Sequence, residues 1–541
     1  MHKGGRRRSL EIITIAFFFL VLGSLRFPML GADFPAVSGS VSEYGDMGWC
    51  LRNVRNRLLE GKWGFEKTAV SLGSPLHSAA VYFSERLWGH SAEAVTAVSV
   101  AALVLMLGSA AVYWIGRYDF LTALLGICLL GTQQLLFAYS YSWKQEMLMM
   151  AFLGSAVLSC ALDGRKGSVV PGILSGVGLF VKLSGIGFVM GILVAFATEP
   201  VSFRRRLRRI AFFFFGMCIV LGMGWCVARI SLSREGFSNA IQWYGMVMSD
   251  RVAVQPTFGE RLANICRSNV LIRSFPEALV GLGLMVPVVM RRRTSAVETA
   301  FAVSTTVYLL GGFLAGYYPL RWIVAAVPGL VFLAVAAVRE GEYSRGVTPV
   351  MGGLVVGQAA GYCVARFLSP NKTGLILGVA LGTFLVTFGL VEGLSRLKVG
   401  AALEGRMCAS EANQEGRGKG IGRTVCAILL LSIGFHLVVD LSWIRGRHYD
   451  QRDIGYSIAK VTGEKAAVYP TSFIGWQTLY PTRMSILDEP REAEWVLWDS
   501  TKVSQNWKKR EEGKIVFKGR LRIPEIILQL YHVPTRKERK E

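Results

Sequence analysis

The chain has 541 residues, of which 52% are hydrophobic and only 18% are charged, and its formal net charge is +23. A soluble protein of this size carries about 25% charged residues, so the composition excludes an ordinary soluble enzyme. The basic residues form short clusters between apolar runs rather than one basic face, which argues against nucleic acid as a partner and indicates membrane topology and contact with anionic lipids.

Apolar runs of roughly 18 to 22 residues, the length that crosses a bilayer, recur along the chain. Basic clusters fall on alternate sides of these runs, which places the N-terminus in the cytoplasm and the C-terminus outside. The first run has no small-residue cleavage site after it and is interpreted as an uncleaved helix. The sequence predicts a polytopic α-helical membrane protein with about thirteen spans, at 9–26, 92–115, 120–138, 145–162, 168–181, 184–198, 210–229, 273–290, 297–315, 322–338, 347–366, 374–394 and 424–442.

In this topology the transmembrane part covers 1–444 and carries two outer loops, 27–91 and 230–272. The Gly-rich polar segment 396–423 is typical of a flexible cytoplasmic linker. The tail 445–541 alternates short β-type runs with turn-rich segments, which predicts a small extracytoplasmic α/β domain. Its predicted strands are Ala466–Tyr469, Trp495–Trp498, Lys514–Phe517 and Ile526–Leu530.

The first outer loop contains a polar, acid-bearing segment that follows the first apolar run. After Asp46, the apolar residues form one helical stripe at spacings of 4, 3 and 4: Met47, Leu51, Val54 and Leu58. Arginines at 52, 55 and 57 fall off this stripe, so we expect an interfacial helix with its basic residues toward the lipid headgroups. Asp46 at its start is either a helix N-cap or a functional carboxylate, and the two roles are compatible.

A second interfacial helix is predicted to begin at Ser74-Pro75, an N-cap residue followed by proline at the first helical position. Its apolar residues again follow helical spacing: Leu76, Ala80, Phe83 and Leu87. His77 lies on this helix and is either a structural histidine or a contact to a metal or phosphate. The two helices are expected to form a ledge over the bundle.

Charged residues mark the outer ends of several predicted spans. Lys144, Lys182 and Arg321 each lie at such an end, where a charge either marks a functional site or extends its side chain to the interface. Glu146 opens the fourth span and is either a helix-start acid favoured by the helix dipole or part of the same site.

Short motifs fall in a fixed order along the chain. They are Asp46-Met47-Gly48-Trp49, Val54-Arg55-Asn56-Arg57-Leu58-Leu59-Glu60-Gly61-Lys62-Trp63, Ser74-Pro75-Leu76-His77, Leu87-Trp88-Gly89, Lys144-Gln145-Glu146, Leu179-Phe180-Val181-Lys182 and Tyr317-Tyr318-Pro319-Leu320-Arg321-Trp322. This series resembles the GT-C superfamily of membrane glycosyltransferases. It is most similar to the polyprenyl-phosphate-sugar-dependent transferases related to protein O-mannosyltransferases and aminoarabinose transferases.

The resemblance implies a role for each matching residue. Asp46 corresponds to the catalytic acid of the family, and donor phosphate binding falls to Lys182, Arg321 and Lys144. The second acid of the family's Asp-Glu motif is replaced by Met47, which counts against a metal role that needs both acids, although a divalent metal is left open as a cofactor. Further contacts to substrate or metal are expected from Glu43, His77, Glu146, Trp49 and Tyr318.

The predicted function is therefore an inverting glycosyltransferase of the cell membrane. It transfers a sugar from a polyprenyl phosphate to a lipid, glycan or protein acceptor on the outer face, with Asp46 as general base. The main alternative is a transporter or flippase for lipid or solute, but the spans show no internal repeat and the polar sequence is concentrated on one face. A glycolipid-binding pseudo-enzyme is a third hypothesis, kept open by Met47.

Overall fold

The computed structural model describes thirteen main stretches of the chain. They are residues 2–33, 48, 50–64, 73–118, 120–231, 295–315, 319–340, 436–442, 447–470, 473–487, 493–499, 514–521 and 526–532, with single positions between 235 and 257 and between 433 and 445. For residues 2–11, 312–315, 319–323 and 337–340 only the backbone is described. Everything below refers to these residues.

Helices in the first two thirds of the chain form a bundle. They are α1 (His2–Ser24), α2 (Arg52–Leu59), α3 (Pro75–Trp88), α4 (Ala92–Arg117), α5 (Phe120–Thr132), α6 (Gln134–Ser140), α7 (Glu146–Ser159), α8 (Lys166–Val181), α9 (Ile186–Thr198), α10 (Phe203–Ser231), α11 (Ala296–Ala315) and α12 (Pro319–Glu340). Short 3-10 turns, Phe27–Met29 and Leu183–Gly185, follow α1 and α8.

In this part of the chain, three helices are long and apolar enough to cross a bilayer: Ile12–Met29, Ala92–Arg117 and Phe203–Val227. A fourth span results if Phe120–Thr132 and Gln134–Ser140, bent by 56°, are counted as one. Shorter apolar helices occupy the predicted spans near 145–162, 168–181, 184–198, 297–315 and 322–338. The helical membrane architecture is confirmed. The count of thirteen remains a prediction, because 273–290, 347–366 and 374–394 lie outside the described residues.

Stacked aromatic rings and close glycine contacts hold the bundle together. The Phe332 ring on α12 stacks on Trp114 of α4 at 4.4 Å and on Phe301 of α11 at 4.5 Å between centroids. A Cβ atom on Gly172 of α8 would collide with the carbonyl oxygen of Phe213 on α10. Such small residues let membrane helices approach backbone to backbone.

The tail contains a five-stranded mixed sheet covered by two helices. Its elements are α13 (Asp450–Thr462), β1 (Ala467–Pro470), α14 (Phe473–Leu479), β2 (Ser485–Ile486), β3 (Trp495–Asp499), β4 (Lys514–Leu521) and β5 (Ile526–His532). The strand order is β2-β1-β3-β5-β4, with β1 parallel to β2 and β3, and β5 antiparallel to β3 and β4. The α/β character is confirmed, and a separate core including Ile458, Val468 and Leu530 lies beneath the sheet.

The orientation predicted for α2 is wrong in one respect. Arg52 and Arg55 are buried, and only Arg57 of the three arginines is exposed. Arg55 donates from Nε to the carbonyl oxygen of Tyr480 at 3.2 Å and from Nη2 to that of Thr482 at 2.9 Å and to that of Met484. The turn that follows α14 thus offers three carbonyl acceptors. Arg55 binds these carbonyl groups instead of the lipid headgroups expected from the sequence.

The second outer helix joins the same contact through a charged cluster. His90, just after α3, has Nδ1 2.7 Å from a Glu85 carboxylate oxygen and Nε2 2.8 Å from the carbonyl oxygen of Tyr480. The Tyr480 hydroxyl donates to the other Glu85 oxygen at 3.0 Å. Helices α2 and α3, the two outer helices, are therefore both connected by hydrogen bonds to the same turn of the tail.

Two further contacts attach α13 to the bundle. The carboxylate of Asp33 accepts from the backbone N–H of Gln451 at 3.3 Å, at the N-terminus of α13. Arg452 donates to Glu93, at the start of α4, at 2.7 Å. Burial raises the pKa of Asp33 to about 7, although the N–H contacts at the start of α13 favour its ionised form.

We expect Arg55→Ala to destabilise the attachment of the tail. Three buried carbonyl groups lose their charged donor, a cost on the order of 3 kcal/mol. Thermal unfolding and limited proteolysis of the detergent-solubilised protein measure the loss. Arg57→Ala, an exposed position on the same helix, is the matched control and should leave both readouts close to wild type; equal behaviour of the two variants would contradict the assignment.

Candidate functional site

A buried ion pair lies at the predicted outer end of the bundle. Glu146 occupies the first turn of α7, and Lys182 directly follows the last residue of α8. The Lys182 Nζ contacts a Glu146 carboxylate oxygen, and the Glu146 side chain is only 2% exposed against 18% for Lys182. Because α7 and α8 are antiparallel neighbours, their outer ends bring together two charges that are 36 residues apart in sequence.

Helix α3 lies over this pair and presents His77 to it. His77 is 1% exposed, and neither ring nitrogen has a hydrogen-bond partner within the described structure. Burial lowers the pKa of His77 to about 4, with Glu146 raising and Lys182 further lowering that pKa. The imidazole is therefore neutral at physiological pH and keeps one donor and one acceptor available.

Helix α3 has one exposed apolar face and one buried polar face, and His77 lies on the buried face. Phe83, Leu87 and Trp88 are 64%, 75% and 68% exposed, whereas Ser78, Ser84 and Glu85 are buried. An apolar surface directed outward and a polar surface directed into the protein fit a helix lying in the membrane interface. On this inward face, His77 lies near the ion pair and Glu85 contacts the tail.

Lys144 lies two residues before Glu146 in the turn that precedes α7. It is 2% exposed, and its Nζ is 5.6 Å from the centroid of the Tyr139 ring. The Ser99 hydroxyl on α4 donates to the carbonyl oxygen of Ser142 at 2.7 Å and holds this turn in place. Lys144 is thus a buried cation and does not extend to the headgroups.

The remaining predicted site residues cannot be placed. Four of them lie outside the described residues: Glu43, Asp46, Trp49 and Tyr318. Arg321 belongs to α12, but only its backbone is described. Nearby Gly48 is buried so tightly against the backbone of Gln477 on α14 that no Cβ would fit. Gly48 itself therefore packs against the tail.

The structure brings together Glu146, Lys182 and His77, three of the nine predicted residues. A buried carboxylate, an ammonium group and a neutral imidazole under one helix can bind an anion, relay a proton or orient a hydroxyl. Among the described residues no group of three or more His, Cys, Asp or Glu side chains could hold a metal ion. The metal option thus stays a prediction that depends on the segment containing Glu43 and Asp46.

One buried charge pair near this end of the bundle was not predicted from the sequence. Arg26, after α1, donates to the carbonyl oxygens of Leu22 and Gly131 and lies 4.6 Å from the centroid of Phe137. Asp440 is fully buried and interacts electrostatically with Arg26. Asp440 is an acid inside the last predicted span and could have indicated this pair, because charges at membrane depth are costly.

Comparisons with known proteins agree with the fold. No protein-family model and no curated protein sequence matches the chain. The structure of ArnT from Cupriavidus metallidurans bound to undecaprenyl phosphate aligns with a TM-score of 0.61 at 13% identity, covering 96% of this chain and 97% of that chain. The apo structure of the same protein aligns with a TM-score of 0.58 over the same shares at 13% identity. The resemblance in fold predicted from the sequence is confirmed over nearly the full length.

We expect His77 to make stability depend on pH. A histidine whose pKa falls from 6.5 to about 4 on folding contributes stability that is complete above pH 6.5 and lost as pH falls toward 4. At roughly 1.4 kcal/mol for each pKa unit, the loss is about 3 kcal/mol.

Thermal unfolding of wild type and His77→Gln between pH 4 and pH 7.5 measures this term. As pH falls, wild type should lose more stability than His77→Gln. Asp33, whose raised pKa acts with the opposite sign, is present in both proteins and cancels. A difference that is constant with pH would show that His77 is not buried as described.

Proposed function

We propose that this protein is a membrane glycosyltransferase that takes a sugar from a polyprenyl phosphate on the outer face of the membrane. The observation that supports this most is the buried Glu146–Lys182 pair beneath α3. It lies where a lipid-borne phosphate at headgroup depth would arrive, in a chain that shares its fold with a protein crystallised with undecaprenyl phosphate.

Donor binding in this proposal is electrostatic. Lys182 has two N–H donors beyond the one directed at Glu146, and an incoming phosphate would compete with that carboxylate for the ammonium group. Lys144 adds a second buried cation near the start of α7, and Arg321 is proposed as a third from α12. The polyprenyl tail would lie against the lipid-facing surface of the bundle.

Transfer then needs a base for the acceptor. The acceptor oxygen or nitrogen attacks the anomeric carbon, the bond from that carbon to the phosphate oxygen breaks, and the acceptor's proton passes to a carboxylate. We assign this role to Asp46, with inversion at the anomeric carbon. Glu43, Trp49 and Tyr318 are proposed substrate contacts, and neutral His77 is suited to hydrogen bonding with a sugar or phosphate oxygen.

The topology follows from the same proposal. We place the N-terminus in the cytoplasm and the outer loops 27–91 and 230–272 on the outside, with the linker 396–423 inside. The domain boundary at residue 445 and the extracytoplasmic location of 445–541 are part of the proposal. Because Arg55 and Glu85 contact the turn at 480–484, the tail would lie on the same side of the membrane as the donor site.

Substitutions at the ion pair separate binding from stability. Lys182→Met leaves Glu146 buried without its cation, which should cost about 3 to 5 kcal/mol in stability as well as transfer. The double variant Glu146→Gln/Lys182→Met removes both charges, so we expect stability to recover while transfer stays at least about tenfold below wild type, the loss expected for one charged phosphate contact.

Asp46→Asn tests the proposed base. The assay uses purified protein in liposomes with lipid-linked sugars and acceptors extracted from the membranes of the source cells, and follows the conversion of polyprenyl-phosphate sugar to polyprenyl phosphate by mass spectrometry. Asp46→Asn should reduce conversion by at least about a hundredfold, and Glu60→Gln, at the exposed residue that directly follows α2, makes the same carboxylate-to-amide change and should retain it. Retained conversion in Asp46→Asn would refute the assignment, and solute or lipid flux without sugar consumption would favour a transporter.

A further inference from the structure

A second polar cavity opens at the other end of the helices that carry the Glu146–Lys182 pair. Helix α7 runs from Glu146 to Ser159, and the cavity wall begins at Cys160; helix α8 runs back from the cavity at Lys166 to Lys182. With 14 and 16 residues, these helices are about 21 and 24 Å long at 1.5 Å per residue. The cavity therefore lies at the opposite end of the bundle, which the sequence predicts to be cytoplasmic.

This cavity has a volume of about 760 Å³ and a strongly basic lining. Six arginines line it, against the two carboxylates Asp163 and Glu199: Arg117, Arg165, Arg204, Arg205, Arg208 and Arg209. Helices α8, α10 and α11 begin at its wall and α4, α7 and α9 end there, so the positive field of the cavity comes from the arginine side chains and not from the helix dipoles.

One of the six arginines is structural and neutralises one of the two acids. Arg209 contacts the two Glu199 oxygens at 2.6 and 2.7 Å from Nη1. It also donates to the carbonyl oxygens of Cys160 at 3.2 Å and Gly167 at 3.0 Å. Arg209 thus joins α8, α9 and α10 and forms the base of the cavity, while the other arginines face a single remaining acid.

Two of the remaining arginines are held in place without using their N–H donors. Arg165 and Arg208 have their guanidinium carbons 5.6 and 5.5 Å from the centroid of the same Phe212 ring. In the described parts of the chain, neither arginine, nor Arg204 or Arg205, has a side-chain ion pair or hydrogen bond. Cations oriented by an aromatic ring with their donors unused are suited to bidentate binding of phosphate oxygens.

The surroundings favour a lipid over a soluble anion. Between these arginines and deeper along the helix, α10 exposes Phe203, Leu207 and Phe215 at 75%, 57% and 60%, apolar side chains that acyl chains can cover. A topology signal requires only basic residues in a loop, whereas here the charges converge on one half-open volume between helices. We propose that this cavity binds the phosphate of an anionic phospholipid from the leaflet opposite the Glu146–Lys182 site.

Lipid titration of the purified full chain tests this proposal. The probes are phosphatidylglycerol, phosphatidylcholine and inorganic phosphate, added to protein in neutral detergent, with binding followed by native mass spectrometry and thermal unfolding. We expect phosphatidylglycerol to raise the Tm and phosphatidylcholine to have little effect. For Arg165→Gln/Arg208→Gln, the Kd for phosphatidylglycerol should rise at least about tenfold, since each charge-assisted contact is worth about 1.5 kcal/mol or more.

Lys166→Gln is the matched control, because it removes a positive charge from an exposed residue beside Arg165 that does not line the cavity. It should bind phosphatidylglycerol as wild type does. Equal affinity of the double variant and the control would overturn the proposal, and so would a Tm increase reproduced fully by inorganic phosphate. If the double variant does not fold, wild type alone decides: the phosphatidylglycerol effect must shrink at about 0.5 M salt, and a salt-independent effect would contradict an arginine–phosphate contact.

Discussion

The pairing of Glu146 with Lys182 is the constraint on which the outer half of this protein depends. Each charge alone would be costly at this depth, and together they are tolerable because each neutralises the other. The pair fixes the outer end of α7 to that of α8, and α3 with its neutral His77 lies over both. In the proposed function, the donor phosphate would replace the Glu146 carboxylate as the partner of the Lys182 ammonium group.

The tail contacts both outer helices, α2 and α3. Arg55, Glu85 and His90 all contact the turn that begins at Tyr480, so the two outer helices and the tail form one connected polar layer. Gly48 packs against Gln477 of α14. In this account the tail holds the outer helices over the site, and the helices α7 and α8 connect that layer to the basic cavity at the other end of the bundle.

The sequence predicts the coarse architecture well because its signals are local. Apolar length identifies the helices, Ser74-Pro75 marks the start of α3, and four β-type runs coincide with β1, β3, β4 and β5. The two-residue strand β2 was missed because it has no periodicity of its own and exists only by pairing with β1. The proximity of Glu146 and Lys182 was not evident either, although both residues were selected, because pairing across two antiparallel helices is a tertiary property.

The orientation of Arg55 shows where local patterns fail. Helical spacing placed it off the apolar stripe, and the interface was the expected environment for a cation there. Its actual partners are three backbone carbonyls more than 420 residues away in sequence, which no window of sequence contains. The arginines of the second cavity were likewise interpreted as topology signals, and only the packing of α8, α10 and α11 brings them to one volume.

A cryo-electron microscopy structure with undecaprenyl phosphate tests the central claim most directly. The account predicts that the phosphate lies within about 4 Å of the Lys182 ammonium, beneath α3, with the contact to Glu146 weakened or replaced. A phosphate bound elsewhere, with Lys182 still held by Glu146, would contradict it.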